Sequence, residues 1–421
     1  MTSVRTGRTG AAPRAPRISR AERARNVQTA IDAAALDLLC THGLDGLALT
    51  KVAELASLSN GPLYGRYDSP EDIALDLWER CAREHFTTAV IEFADWLTTT
   101  GSDAPELGTR ELEQPSPLTI AAVEIVAVAR RFPLLADTVR TDLEALLAAL
   151  ARRRPELPTT LTTTALTVTI GRVMLRGLLP DEHTDWSRGA GFLRDVITDA
   201  SKRTGPSYAP DPLALTMPSA ASGDERLDVF IDAVASVVSR VGYERATAQR
   251  IARAAGQSFS SAYAHADSKD ALMRAAISAT IEQLIATGDV AFADLGGEDY
   301  LRAVVALERG LCSDTNRAIR TLRVETFLAA LHHPELGEVL RASLTGALEF
   351  ISSLFDPSLG SVADARAVWH VSRCVGIGTV TLSLAVPGLV DLDWTPFARL
   401  AQLVMEETVF GLIPQGTLGN R

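Results

Sequence analysis

Four charged side chains stand where a sequence of this kind would place a ligand or an ion pair. Glu124 and Glu325 interrupt apolar helical stretches, and Arg172 and Arg176 follow Gly171 in another. A charge in apolar surroundings either meets a ligand in a pocket or pairs with its opposite between helices. Glu124, Arg172 and Glu325 are therefore candidate pocket residues, with interhelical ion pairs and exposed faces as the competing reading. His332 and His333 are adjacent; neighbours on a helix point about 100° apart, so they are poor joint metal ligands and read as helix-end residues. Cys40, Cys81, Cys312 and Cys374 are widely spaced, with no Cys-x-x-Cys pair and no cluster at zinc spacing, which fits a reducing, cytoplasmic setting. There is no Gly-x-Ser-x-Gly, no His-Glu-x-x-His and no phosphate loop, and Gly376-Ile377-Gly378 lacks the third glycine of a dinucleotide fingerprint. No enzymatic activity, metal or cofactor is expected.

A different chemistry is suggested by Leu47–Tyr67. Thr50–Ala56 suits a short helix with Val52, Ala53 and Leu55 available inward, Ser57-Leu58-Ser59 suits a turn with an N-cap candidate, and Asn60–Tyr67 suits a second short helix. Ala53 and Ala56 are small enough to let the two helices cross tightly. Such a helix-turn-helix can put the start of its second helix into the major groove of DNA, where polar side chains and backbone N–H groups meet base edges and phosphates.

The elements that must carry this unit occur twice. At an offset of 199 residues, Ile31, Ala34, Ala35, Leu38 and Leu39 fall on Phe230, Ala233, Val234, Val237 and Val238, one helix face in both places. Between Gly43 and Ser69, Gly43, Ala53, Ala56, Ser59, Tyr64, Asp68 and Ser69 are identical to Gly242, Ala252, Ala255, Ser258, Tyr263, Asp267 and Ser268. With small changes of offset, Val123-Glu124, Pro133 and Arg140 meet Val324-Glu325, Pro334 and Arg341. Further on, Ile170-Gly171, Pro180 and Asp185-Trp186 meet Ile377-Gly378, Pro387 and Asp393-Trp394. A period near 200 residues is the size of a whole domain or protomer, so the chain reads as two copies of one protein. Ser201–Gly223, with four prolines among Ser, Ala and Gly, reads as the linker.

Helical periodicity recurs at Ala21–Leu39, Ile73–Leu97, Leu118–Arg131 and Leu134–Ala151, and at matching places after residue 224. Thr159–Ile170 has strand-like Thr, Leu and Val content, but its counterpart Ala365–Ile377 reads as helix, so both are expected to be helical. Thr98–Pro117 reads as a loop.

GLDGLALTKVAELASLSNGPLYGRYDSPEDIAL, beginning at Gly43, resembles the DNA-binding segment of the tetracycline-repressor (TetR) family of bacterial regulators, and GYERATAQRIARAAGQSFSSAYAHADSKDALM, beginning at Gly242, resembles it independently. The resemblance implies an all-α fold in which each copy has an N-terminal three-helix DNA-binding part and a C-terminal helical part that dimerises and holds an effector pocket. It puts the recognition helix on Asn60, Gly61, Pro62, Leu63, Tyr64, Gly65 and Arg66, preceded by Ser59. Asn60 and Arg66 are then expected at base edges or nearby phosphates, Tyr64 at a phosphate, and Thr50 and Lys51 at the flanking backbone. Matching positions in the second copy are Ser258, Phe259, Ser260, Ser261, Tyr263 and His265, with Gln249 and Arg250 on the preceding helix. Both copies depart from the pattern: Ser57 replaces the glycine before the first recognition helix and Pro70 a later lysine, while Ala266 stands where Tyr67 packs. The bland reading makes Tyr64 and Tyr263 core aromatics, leaves Asn60 and Arg66 solvated and gives Thr50 only a capping role.

Charge is distributed unevenly over the 421 residues. Seven arginines against Glu22 make residues 1–25 net +6, so the rest of a chain with formal charge −11 carries −17. Bulk charge repels polyanions, and any nucleic-acid contact must use local basic surface. The arm could add phosphate or minor-groove contacts beside the first unit; a solubilising tail and an organellar transit peptide are its rivals. No apolar run approaches the roughly 20 residues of a membrane span.

The expected organisation is a basic arm over 1–17, DNA-binding units over 18–75 and 224–274, helical C-terminal parts over 76–200 and 275–415, and the linker over 201–223. The expected partners are a double-stranded DNA operator and a small-molecule effector, with no membrane. The two copies are expected to form an intramolecular pseudo-dimer, with a homodimer as the variant. The expected activity is that of a transcriptional repressor released by its effector. The competing expectation is a helical ligand-sensing or interaction module whose DNA-binding units have degenerated.

Overall fold

Helix α1, Arg20–His42, starts where the Ser19 side chain accepts a hydrogen bond from the Glu22 amide at 3.1 Å. Its apolar stripe, Ile31, Ala34, Ala35, Leu38 and Leu39, is buried, and it ends at Gly43, whose φ of +65° suits a residue without a Cβ. The computed structural model describes residues 19–99, 106–179, 185–202, 210–215, 224–258, 297–353 and 362–395, with isolated positions at 217, 219, 271, 274, 275, 278, 279, 397 and 398. The basic arm lies outside them. Among the described residues the regular structure is entirely helical.

After α1 come α2 (Leu49–Leu55), α3 (Asn60–Tyr64) and α4 (Pro70–Leu77). Helix α4 begins in a capping box: the Ser69 side chain receives the Asp72 amide, the Asp72 carboxylate receives the Ser69 amide at 2.9 Å, and Pro70 occupies the first turn. A π-helical turn, Trp78–Ala82, joins α4 to α5 (Arg83–Thr98), so the expected division at residue 75 falls inside a nearly continuous helix. The stretch expected as a loop after Thr98 contains a 3₁₀ turn at Glu106–Thr109 and a short helix α6 (Arg110–Glu113). The first half closes with α7 (Pro117–Val128), α8 (Pro133–Arg153), α9 (Thr159–Met174) and α10 (Trp186–Lys202).

Helix α9 resolves the strand-or-helix ambiguity. It is buried almost all round, so its β-branched residues have neighbours on every side, and its threonine hydroxyls bond back to helix carbonyls: Thr163 to Thr159 at 2.6 Å, Thr167 to Thr164 at 3.1 Å, Thr169 to Ala165 at 2.9 Å. Each of these three buried hydroxyls is satisfied within the helix, which removes the cost of placing threonine there, whereas the buried Thr160 hydroxyl has no partner among the described residues.

The second half contains α11 (Glu225–Val241), α12 (Ala248–Ala254), α13 (Gly297–Cys312), α14 (Arg317–His332), α15 (Pro334–Ser353) and α16 (Val362–Ala385). Asp224 caps α11 by accepting from the Arg226 and Leu227 amides, and Gly242 ends it with φ of +85°. Helix α16 packs most extensively on α9 of the first half, and also on α10 and α7. The crossing is close because two glycines lie in it. A Cβ on Gly171 would stand 1.9 Å from the Cys374 carbonyl oxygen, and one on Gly378 would stand 1.7 Å from that of Thr167. Of the second C-terminal part, expected to reach 415, only Phe397 and Ala398 beyond Thr395 are among the described residues.

Part of the expected linker is docked rather than free. The Leu213 amide donates to the Ala306 carbonyl at 2.9 Å, and the Asn316 amide nitrogen donates to the Leu213 carbonyl at 2.7 Å. The Leu215 amide donates to Asn316 Oδ1 at 2.8 Å, and Arg309 reaches the Pro210 carbonyl. Residues 210–215 therefore form a strap across α13, laid over Gly310, where a Cβ would meet the Leu213 carbonyl oxygen at 2.4 Å. Composition marked this stretch as the linker, yet its backbone groups have partners on the second half.

Candidate nucleic-acid interface

The first helix-turn-helix is held from below by Leu49, Val52, Ala53 and Leu63, all buried, and by Leu58 against the core. The turn is closed by the Ser57 amide on the Glu54 carbonyl at 3.0 Å and the Leu58 amide on the Ala53 carbonyl at 2.9 Å. Its geometry places Ser57 at φ of +54°, and among the described residues no other non-glycine has a positive φ; Gly256, its counterpart, has φ of +64°. A side chain there costs on the order of 1 kcal/mol. Ser57→Gly is expected to raise unfolding stability by about 0.5–1 kcal/mol, read from urea denaturation, and a loss of stability would contradict the strain.

Lys51, Thr50, Ser59, Gly61, Pro62, Tyr64, Gly65 and Arg66 form an exposed face over α2 and α3. Tyr64 is 53% exposed, so it is a surface residue and not the core aromatic of the bland reading. The core aromatic is Tyr67, whose hydroxyl donates to Asp76 at 2.5 Å. Asn60 begins α3, and its side chain lies outside the described residues. Ser59 precedes α3 without making a side-chain cap, and Thr50 lies inside α2, whose N-cap is Ala48; neither caps a helix as expected. The recognition helix is also shorter than the sequence pattern suggested, ending at Tyr64. Nothing lies within 4 Å of the position a Cβ would take on Gly61, so its backbone is open to a close neighbour.

Arg66 is exposed but engaged. Its guanidinium donates to Gln28 Oε1, and Gln28 Nε2 donates to Asp32 at 3.0 Å, to the Tyr67 hydroxyl at 3.1 Å and to Asp76 at 3.2 Å. Arg80 completes the network on Asp32 and Asp76. The contact with base edges or nearby phosphates expected of Arg66 would use the guanidinium nitrogens that Gln28 does not hold, or follow its departure from Gln28.

In the second unit, Gln249 and Arg250 are exposed on α12, and Ser258 is exposed after it. Thr247 caps α12 by accepting from the Arg250 amide, and the Arg250 guanidinium donates to the Arg245 carbonyl at 2.9 Å. Phe259, Ser260, Ser261, Tyr263 and His265 lie outside the described residues.

The three pocket candidates form no common pocket. Arg172 donates to the Leu112 carbonyl at 2.6 Å and stacks 4.4 Å over the Trp186 ring. Glu124 is buried in an ion pair with Arg176 at 2.8 Å and accepts from His332 of the other half at 2.9 Å. Glu325 is buried between Arg130 and Arg131, also of the other half, with Arg131 Nε at 3.1 Å from Oε1. Burial pushes the Glu124 carboxyl upward, but the hydrogen bond and charge of His332 and the charge of Arg176 outweigh it and hold it below the ordinary value. Burial likewise lowers His332, and Glu124 more than reverses this, raising the imidazole above its ordinary value. The pocket expectation is thus corrected: each carboxylate is already occupied by a cation. Buried charges require such partners, and both carboxylates take one from the opposite half.

This cross-half charge system was missed at the sequence level. Arg131 also pairs with Asp45, and Arg245 approaches both Asp45 and Glu71 at 3.5 Å, so ion pairs join the N-terminal helices of the two halves. A signal was present: the 201-residue shift that superposes Glu124 on Glu325 also puts Arg131 on His332. Among the described residues no cluster of three His, Cys, Asp or Glu could hold a metal, and no helix is long and apolar enough to cross a membrane. Burial pushes the Cys312 and Cys374 thiols up to about 12, away from thiolate chemistry.

No curated protein was found to match the chain. Residues 230–276 match the family model of bacterial regulatory proteins of the tetR family, a match that falls on the second of the two helix-turn-helix segments and supports a DNA-binding transcriptional regulator of TetR type.

Proposed function

We propose that the chain is a tandem TetR-like repressor in which two protomer-sized halves form an intramolecular pseudo-dimer and read one operator. The observation that carries this is reciprocity at the seam. Gly171 meets Cys374, and Gly378 meets Thr167; shifting by 207 residues turns one contact into the other. A two-fold axis requires this, residue i on j and the equivalent of j on the equivalent of i. Two recognition helices related in this way can face successive major-groove turns, roughly 34 Å apart.

The second unit is read as active beside the first. Where the first has Gln28, Asp32, Tyr67, Asp76 and Arg80 in one polar network, the corresponding positions hold Leu227, Ile231, Ala266, Ala275 and Ala279. The whole set is apolar, so in sequence Ala266 is one of five matched changes and not an isolated loss. The faces differ, and the operator read by them is asymmetric.

The effector reading rests on the family resemblance; the cleft between α5, α8, α9 and α10, lined by Ala94, Leu97, Leu150, Leu161, Ala165 and Ile197 with the Arg153–Asp95 pair at its edge, holds about 10 Å³ of free space, room for about one water, so an effector would have to open it. Such a lining suits a small, largely apolar molecule. It would release DNA by binding better to the arrangement with misplaced recognition helices.

Selection of duplexes from a randomised pool with the intact protein tests the reading. Bound duplexes with two unlike half-sites and affinity falling steeply with salt are expected. Lys51→Ala is expected to weaken binding to all sequences and reduce the salt slope by about one. Gln249→Ala is expected to disturb one half-site only. Absence of salt-dependent duplex binding would favour the ligand-sensing module.

A further inference from the structure

Two buried carboxylates sit at the junctions between the helical cores and the DNA-binding units, and each is gripped by a base from the other half. At the first, His332 Nε2 is 2.9 Å from Glu124 Oε1, while His332 Nδ1 is 3.3 Å from the carbonyl of Thr41 in the last turn of α1. The same ring lies against Gly43, where a Cβ would stand 2.8 Å from Nε2. At the second, Arg131 grips Glu325 and lies against Gly242, where a Cβ would stand 2.6 Å from Cζ. The 201-residue shift relating Glu124 to Glu325 relates Arg131 to His332, and Gly43 corresponds to Gly242. The junctions are therefore equivalent in position and unequal in chemistry.

We propose that His332 and Arg131 are positioning residues, each fixing the seat of the opposite half's DNA-binding unit, and that the His332 latch releases the first unit on deprotonation while the Arg131 latch holds the second at every physiological pH. The effect on DNA rests on the repressor reading; the latch itself does not.

The geometry supplies the reason. Both imidazole nitrogens face acceptors, a carboxylate and a carbonyl, and only the imidazolium donates from both. The Thr41 carbonyl is one of the end groups of α1 that the helix leaves unsatisfied, where a cation is favoured. Loss of the proton removes one of the two bonds and leaves Arg176 as the one cation on Glu124. Arginine keeps its charge throughout.

Among the groups facing His332, the carboxylate, the guanidinium and the thiol keep one state over the relevant range. Glu124 from α7 is held below the ordinary carboxylate value, and Arg176, beyond the end of α9, stays charged. Cys40 from α1 is pushed up to about 11 by burial. Asp37 lies one turn before it, and His333, next along the chain, pairs with Glu244. His42, exposed in the last turn of α1, bonds the Thr41 hydroxyl, so the change at 41–47 is assigned to His332 by its loss in His332→Arg and its persistence in His42→Gln.

The experiment is amide hydrogen exchange of the full chain, corrected for intrinsic pH dependence, at residues 41–47 and 240–246, in His333→Gln, which removes the second imidazole from Glu244 and Tyr243, and in that background with His42→Gln, His332→Arg or Arg131→His. In His333→Gln, protection at 41–47 is expected to fall by about fivefold or more as pH rises from about 6 to about 9, with 240–246 unchanged. His332→Arg is expected to flatten the first profile, and Arg131→His to create a second. Equal pH profiles at both junctions, or a fall that persists in His332→Arg, would overturn the proposal. Titration of the His332 imidazole by NMR in the unsubstituted chain needs no variant: a midpoint above about 6.5 is expected, and one below it overturns the latch. The selected duplex, titrated in parallel, is expected to bind more weakly at high pH through the first half-site. Latch behaviour without any duplex binding would retain the latch and reject the repressor reading.

Discussion

Valine at Gly171 or Gly378 is expected to force the two halves apart and to destabilise the chain by about 3 kcal/mol or more. A Cβ at these positions would lie 1.9 Å and 1.7 Å from opposing carbonyl oxygens, so the obstacle is backbone, which cannot turn away as a side chain can. The helices α9 and α16 would have to separate by more than an ångström, forfeiting dispersion contacts along a seam buried on both sides. Ordinary overpacking costs about 1–3 kcal/mol, and a backbone obstacle belongs at or beyond the upper end. Gly346 is the control: it is exposed on α15, and a Cβ there meets nothing within 4 Å. Gly346→Ala is expected to be neutral or stabilising by about 0.5–1 kcal/mol. Thermal unfolding of the three variants decides the matter; an unchanged midpoint for Gly171→Val and Gly378→Val would refute the close crossing.

Removing Glu325 has the other large expected effect. Its carboxylate is the anion between Arg130 and Arg131, whose side chains are 10% and 5% exposed. Glu325→Ala leaves two neighbouring buried guanidiniums facing each other, and breaking a buried pair in this way costs about 3–5 kcal/mol. Arg131 retains Asp45, which tempers the loss without replacing the bidentate grip. Denaturant titration is expected to show the loss in the midpoint, and Glu325→Gln to recover little of it because the amide brings no charge. A change below about 1 kcal/mol would mean that water reaches the site and screens it.

The first carboxylate adds a pH signature of defined sign. Glu124 is held below its ordinary value of 4.5, so its contribution to stability is complete above that pH and is lost as pH falls through the lower folded value. His332 is held above its ordinary value of 6.5, so its contribution is complete below that pH and is lost as pH rises through the higher folded value. The pair therefore stabilises most between the two limits.

The sequence by itself determined the local elements. The buried stripes of α1 and α11, the Ser69–Asp72 capping box, the helix-turn-helix and the all-helical character rest on periodicities and caps that span a few residues, and each helix carries that information within itself. The helical state of Thr159–Met174 was legible only through its counterpart, because burial on all sides removes the periodicity that would announce it. Tertiary structure alone decided which charges meet. Glu124 with His332 and Glu325 with Arg131 join residues 208 and 194 positions apart, and the docking of 210–215 on Asn316 spans about a hundred. No local pattern encodes such a partner. A buried carboxylate must find a cation, yet its sequence surroundings look the same whether that cation is a ligand or an arginine from the far half of the chain.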